Sequence, residues 1–228
     1  MKFERSYPKY EVIVPSTNKK IYFRPFLVSD EKTLLLIKEE KNPSLIIKNV
    51  LELINKCFDN ISIDSITLQD LEYLFCNLRA KSVGEIVKTN FTCPITNEKI
   101  KTAVNLIDLI IGKGPKEFEL KLSENYSIIF KEPTVAKILA MDGIFDINHL
   151  IKSSIEKISR EDSVYTFEDL SSSDIDEILN SLTKKEYNQI KDFILSLPKI
   201  HSDVKYQTAD GVERTLRLDG VLNFFTLT

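Results

Sequence analysis

The sequence predicts an α+β fold, with an N-terminal β-hairpin and helical layer, central β-hairpins, and C-terminal helices closed by a further β-hairpin. Three observations lead there. Apolar residues recur with a helical period in some stretches and with period two in others. Polar turns of hairpin type separate the period-two runs. The order of these blocks is neither the regular strand-helix alternation of a doubly wound sheet nor a repeat of fixed length.

The first block, "YEVIVPSTNKKIYFRPF", alternates apolar and polar residues around a Pro/Ser/Thr/Asn turn, with Tyr10, Val12 and Val14 facing Ile21 and Phe23. It predicts a hairpin. Asp30 then stands where it caps a helix through "EKTLLLIKEE", and after "KNP" a second helix, "SLIIKNVLELINKCF", sets Ile46, Val50, Ile54 and Cys57 on one stripe. Cys57 therefore reads as a core residue. A third helix, "DLEYLFCNLRAKSVGE", opens on a Thr67/Asp70 capping pattern and stops at Gly84. Its projection places Leu71, Leu74, Phe75, Leu78 and Ser82 on one face, Arg79 at the flank near Glu72, and Cys76 further round as a packed thiol.

From Glu85 the period becomes two: "EIVKTNFTC", the turn "PITNE" and "KIKTAVNL", then "FELKLSE" and "YSIIFKE" joined through Asn125. Helix is predicted again from Pro133 to Pro198, through "TVAKILAMDGI", "INHLIKSSIEKI", "SSDIDEILNSL" and "TKKEYNQIKDFILSL". In the last, Thr183 and Glu186 form a capping box, and Tyr187, Ile190 and Ile194 form the inward stripe. A final hairpin turns at Asp210-Gly211 and leads to the apolar end "GVLNFFTLT". A boundary in "GKGPKEF", at 112 to 117, divides the chain into regions 1–112 and 113–228, or these form one continuous domain.

Composition narrows the function classes. The 31 Lys and Arg are scattered among 34 Asp and Glu without a basic block, which speaks against nucleic acid as a partner. The start, "MKFERSYPKYEV", lacks a signal-peptide apolar segment, and no apolar run is long enough to span a bilayer, so a soluble protein of a cytoplasm is expected. The odd number of cysteines, Cys57, Cys76 and Cys93, argues for reduced thiols.

Catalytic and metal-binding patterns are lacking. A zinc knuckle needs paired thiolates at short spacing, and Thr96 stands where Cys93 would need its partner. His149 and His201 are isolated, His149 reading as a helix-surface or core-edge residue, and no G-x-S-x-G or P-loop occurs. The acids of "FEDLSSSDIDE" lie near helix starts, where they serve caps. No cofactor or small-molecule substrate is expected. Arg79 has two readings: an arginine that snorkels over the core edge to helix-terminal carbonyls or Glu85, or an interface arginine.

The ordered set "IYFRPFLVSDEKTLLL" (21–36), "DLEYLFCNLRAKSVGE" (70–85), a strand ending in Cys93, "LNSLTKKEYNQIKDFILSLP" (179–198) and "LDGVLNFF" (218–225) resembles the baseplate hub protein family of T-even-type contractile-tail bacteriophages. The resemblance implies a non-enzymatic hub component or hub assembly factor, made in the host bacterial cytoplasm, whose partners are other baseplate hub proteins. It also implies cysteine pairs at the hairpin tips of relatives, of which this chain keeps Cys93. Its most specific stretches supply the interface candidates: Arg24, Pro25 and Phe26; Arg79, Ser82, Gly84 and Glu85; and Phe224 and Phe225. The phenylalanines equally suit core closure. Two other readings stay open, a metal or nucleic-acid-binding module of zinc-ribbon descent and a tail-associated hydrolase.

Overall fold

The computed structural model describes residues 6–62, 64–141 and 143–219. In chain order the elements are β1 (Tyr10–Ile13), β2 (Lys20–Phe23), α1 (Glu31–Glu39), α2 (Pro43–Cys57), α3 (Leu68–Ser82), β3 (Ile86–Thr92), β4 (Lys99–Asn105) and β5 (Ile110–Ile111). There follow β6 (Glu117–Ser123), β7 (Tyr126–Lys131), α4 (Val135–Ala140), α5 (Ile147–Ser153), β8 (Ile155–Arg160) and β9 (Ser163–Thr166). The chain ends through α6 (Ser172–Ser181), α7 (Lys184–Leu195), β10 (Ile200–Gln207) and β11 (Glu213–Asp219). The fold is α+β, as the sequence predicts, and every pairing between these strands is antiparallel. No described helix is long and apolar enough to cross a membrane.

Two compact units divide the chain. One takes the residues up to Ser62, Gln69–Gly112 and those from Lys199; the other takes Lys113–Pro198 and the short stretch ahead of α3.

In the first unit, β1 and β2 pair Tyr10 with Phe23 and Val12 with Ile21, and Val12, Val14, Ile21 and Phe23 are buried. The turn is closed by the Val14 N–H on the Lys19 carbonyl (2.9 Å) and the Asn18 N–H on the Val14 carbonyl (2.8 Å), with Asn18 at φ 55°. Between β3 and β4 the same device recurs: the Cys93 N–H donates to Glu98 (2.8 Å), the Asn97 N–H donates to Cys93 (2.9 Å), and Asn97 has φ 60°. "VPSTNK" and "CPITNE" thus share a proline after the first residue and a Thr-Asn pair whose Asn tolerates the left-handed conformation. That short internal likeness becomes plain only once both turns are folded.

Asn42 caps α2 by accepting from the Ser44 N–H, Pro43 opens it, and Ile46, Val50, Ile54 and Cys57 all face inward. The expected one-sided stripe of α3 is corrected: Leu71, Leu74, Phe75 and Leu78 are buried, and so are Gln69, Asp70, Glu72, Cys76 and Ala80. This helix is enclosed on most sides. Its second buried face, Cys76 and Ala80, packs with Val87 and Val104 of the β3-β4 ribbon, Leu106 just after it, and Ile200 and Val204 of the three-stranded β11-β10-β5 sheet. Burying side chains such as Leu74 and Leu78 stabilises the fold by about 1.5–3 kcal/mol each.

The second unit is a four-stranded sheet in the order β6-β7-β8-β9, with Leu120, Ile128, Phe130, Ile155 and Ile158 packed against Ile151, Ile175, Ile190, Phe193 and Ile194 of the helices. Here the expected helix through "INHLIKSSIEKI" is corrected, because α5 stops at Ser153 and Ile155 begins β8. A bulge where β8 meets Ile129 and Phe130 of β7 lets Ile155 and Ile158 both face the core. Two inward residues three apart imitate a helical stripe. His149, expected at a surface or core edge, is buried, with Nε2 2.8 Å from the Ile138 carbonyl oxygen. Ser171/Asp174 and Thr183/Glu186 form the reciprocal capping boxes of α6 and α7.

The glycines of "GKGP" serve close backbone approach. A Cβ on Gly112 would lie 2.5 Å from the Lys199 carbonyl oxygen, and one on Gly114 would lie 2.4 Å from that of Ser196.

Candidate functional site

The segment leaving β2 and the C-terminal turn of α3 meet within the first unit. The Phe26 N–H donates to Ser82 Oγ (2.9 Å), whose own hydroxyl donates back to the Leu78 carbonyl (2.6 Å). The Phe26 ring lies 6.4 Å from that of Phe75. Two sequence-predicted stretches, Arg24 to Phe26 and Arg79 to Glu85, are thereby brought together. Phe224 and Phe225 lie outside the described residues.

Arg24 is held by its own unit. Its Nη1 donates to Asp30 Oδ2 and to the Pro25 carbonyl, both at 2.9 Å, and Nη2 donates to the Lys56 carbonyl at 3.1 Å. The last contact satisfies an end carbonyl of α2 with a cation, which the helix dipole favours. Asp30 precedes α1 as expected but makes no side-chain cap, a correction to its predicted role. Its carboxylate turns away from the helix to take Arg24 and the Leu27 N–H (2.8 Å). Burial pushes the Asp30 carboxyl up, but the hydrogen bonds from Arg24 and Leu27 outweigh it and hold the group below its ordinary value. Cys57, beside this pair, is raised to about 11, chiefly by burial.

Arg79 differs. It is half-buried, and among the described residues its guanidinium has no hydrogen bond or ion pair; Glu85, one expected partner, takes Lys81 at 2.9 Å instead. Burial lowers its pKa, partly offset by nearby Cys76. Just beyond it, Gly84 adopts φ 141°, which ends the helix and releases the chain toward β3.

Sequence reasoning missed the apolar residues around this junction. Val28 is 86% exposed, Val83 71% and Ile86 59%. Pro8, Pro25, Phe26, Leu27 and Val28 line an open groove of about 520 Å³. The available signal was that each breaks the polar half of its local pattern, as Ile86 does beside buried Val87.

At the tip of the β3-β4 ribbon, Cys93 is fully buried and its Sγ sits 3.2 Å from Tyr206 Oη and 3.5 Å from the Thr96 nitrogen. Burial raises this thiol, but hydrogen bonds from Thr96 and Tyr206 prevail and bring it to about 7. Among the described residues no three His, Cys, Asp or Glu side chains gather where they could hold a metal ion.

Over residues 7–226 the chain matches the family model described as T4 bacteriophage base plate protein. It is 24% identical over 225 residues to the baseplate hub assembly protein gp26 of Enterobacteria phage T4, an alignment covering 96% of this chain and 98% of that protein. No solved structure matches.

Proposed function

The chain belongs to the family of T4 bacteriophage base plate proteins, and on that premise we propose that it acts without catalysis, by protein-protein contact, in building the baseplate hub. Its partners are other hub proteins, and its place of action is the host bacterial cytoplasm during assembly, with retention in the finished tail as the component variant of the same role. The observation that carries the reading is the full-length match to a relative named a hub assembly protein.

The working surface we assign is the junction of Arg24 to Phe26 with Arg79 to Glu85. Exposed Val28, Val83 and Ile86 supply apolar area, and Arg79, unpaired among the described residues, supplies a charge for a partner carboxylate, arginine being a frequent hot-spot residue. Pro25 and Phe26 form the wall of the adjoining groove.

A phage lacking the protein is expected to make wedges and sheath subunits but no complete baseplates; normal tails by electron microscopy would overturn the role. Mass spectrometry of purified virions, beside a pull-down from infected cells, separates hub component from assembly factor.

A further inference from the structure

The second unit carries a different surface, and nothing about it depends on the junction described above. The four-stranded sheet ends at β9, which pairs with β8 and among the described residues has no strand on its other side. All four residues of β9 are exposed, including Val164 at 61% and Tyr165 at 43%. A two-residue turn, Glu161-Asp162, joins β8 to β9 and pairs Arg160 with Ser163. Hydrogen bonding in such a ribbon alternates, so Arg160/Ser163 and Ile158/Tyr165 exchange bonds, while Val164 and Thr166 turn their backbone groups outward. The Thr166 N–H is taken by Asp169 (2.8 Å), and the Val164 groups face the open edge.

Charge around this edge is predominantly acidic. Between residues 161 and 177 there are seven carboxylates and no Lys or Arg. Asp169 and Asp174 are occupied as caps and Asp176 pairs with Lys152. Glu161, Asp162, Glu168 and Glu177 make no ion pair with a described residue, whereas Lys157 and Arg160 on β8, and Lys137 beside Thr166 and Glu168, offset part of their field. On the α6 side, Tyr126, Ile158, Tyr165, Leu170 and Ile178 floor an open groove of about 400 Å³, walled by Glu177, Asp169 and Asp174 against Arg160, the single cation among the described lining residues.

We infer that the free edge of β9 docks an extended, basic segment of another protein by strand addition. The outward Val164 N–H and C=O pair with the incoming backbone. Side chains on the α6 side lay their stems on Tyr165 and Leu170 and carry their cationic heads toward Glu177. A second copy of this chain is disfavoured as occupant, since two β9 edges would bring their acidic flanks together.

The test uses the full-length, 15N-labelled protein and three capped heptapeptides: alternating Lys-Val, alternating Glu-Val and alternating Lys-Pro. The Lys-Val peptide is expected to bind, to shift the amides of residues 163 to 166 and to weaken with added salt. Val164→Pro removes the outward N–H and should cost about tenfold in affinity. Asp162→Lys with Glu177→Lys should weaken binding several-fold. Equal binding of the Glu-Val or Lys-Pro peptide, amide shifts confined to other elements, or no Lys-Val binding at about 1 mM overturns the proposal. So does concentration-dependent dimerisation through β9. Should Val164→Pro fail to fold, the amide map of the unmodified protein decides by itself.

Discussion

Arg24 and Arg79 flank the same Phe26-Ser82 contact, yet the fold gives one guanidinium three acceptors and gives the other none among the described residues. Both belong to the family-like stretches, and both read as interface candidates in the sequence. The structure separates them by what surrounds them. Arg24 ties the chain after β2 to a buried carboxylate and to the end of α2, so its charge is spent within the unit. Arg79 bears a desolvated charge with no acceptor among the described residues, an arrangement that costs stability. Arg24 serves the fold, and docking is the role we propose for Arg79.

The strongest way to break that comparison is Arg24→Ala. It leaves Asp30, 2% exposed, without its cation, and should lower stability by about 2–3 kcal/mol. That is less than a fully enclosed pair loses, because Arg24 keeps some contact with water and its field is screened. Urea unfolding should show a lower midpoint with unchanged slope. Arg24→Lys should recover only part, since one ammonium cannot reach three acceptors in a plane. The pH dependence follows from Asp30, whose folded pKa lies below its ordinary 3.8. The pair's stabilisation is fully present above that ordinary value and is lost as pH falls through the lower folded one. Arg24→Ala should flatten this acid limb. A loss below about 0.5 kcal/mol would place Arg24 with the surface residues after all.

Gly84→Ala tests the other side of the junction. At φ 141° a side chain strains the backbone, while an added Cβ meets no atom within 4 Å, so the cost is conformational alone. About 1–2 kcal/mol is expected in the same urea titration. Ordinary helix continuation through residue 84, seen as added helical circular dichroism with no loss of stability, would mean that the glycine does not fix where Arg79 points.

What could be read beforehand follows physical range. Patterns set by neighbours in sequence were legible: the facing pairs of β1 and β2, the Thr183/Glu186 capping box and the inward stripe of α2. Asp30 misled because a carboxylate before a helix usually caps it, and here a cation six residues upstream competes more strongly. β8 misled because a bulge, which depends on its partner strand, set Ile155 and Ile158 at helical spacing. The two-residue strand β5 and its pairing with β10, across some ninety residues, leave no local trace. At the junction, Gly84 was legible as a helix stop, but whether an arginine is satisfied depends on carbonyls and carboxylates brought from elsewhere.

The smallest expected change in stability, and the sharpest in function, is Arg79→Met. Methionine keeps a long unbranched stem over the core edge and removes a half-buried charge that has no acceptor among the described residues. Stability should therefore stay within about 1 kcal/mol of the unmodified chain, with any shift upward. Recovery of hub proteins in a pull-down from infected cells should fall, and Arg79→Glu should lower it further by opposing a partner carboxylate. If Arg79→Met instead lowers the urea midpoint as far as Arg24→Ala does, both arginines serve the fold and the docking surface must be sought among Val28, Val83 and Ile86 alone. If neither stability nor recovery moves, the cation is idle at this surface, because a desolvated charge that meets an acceptor only in the complex must register in association.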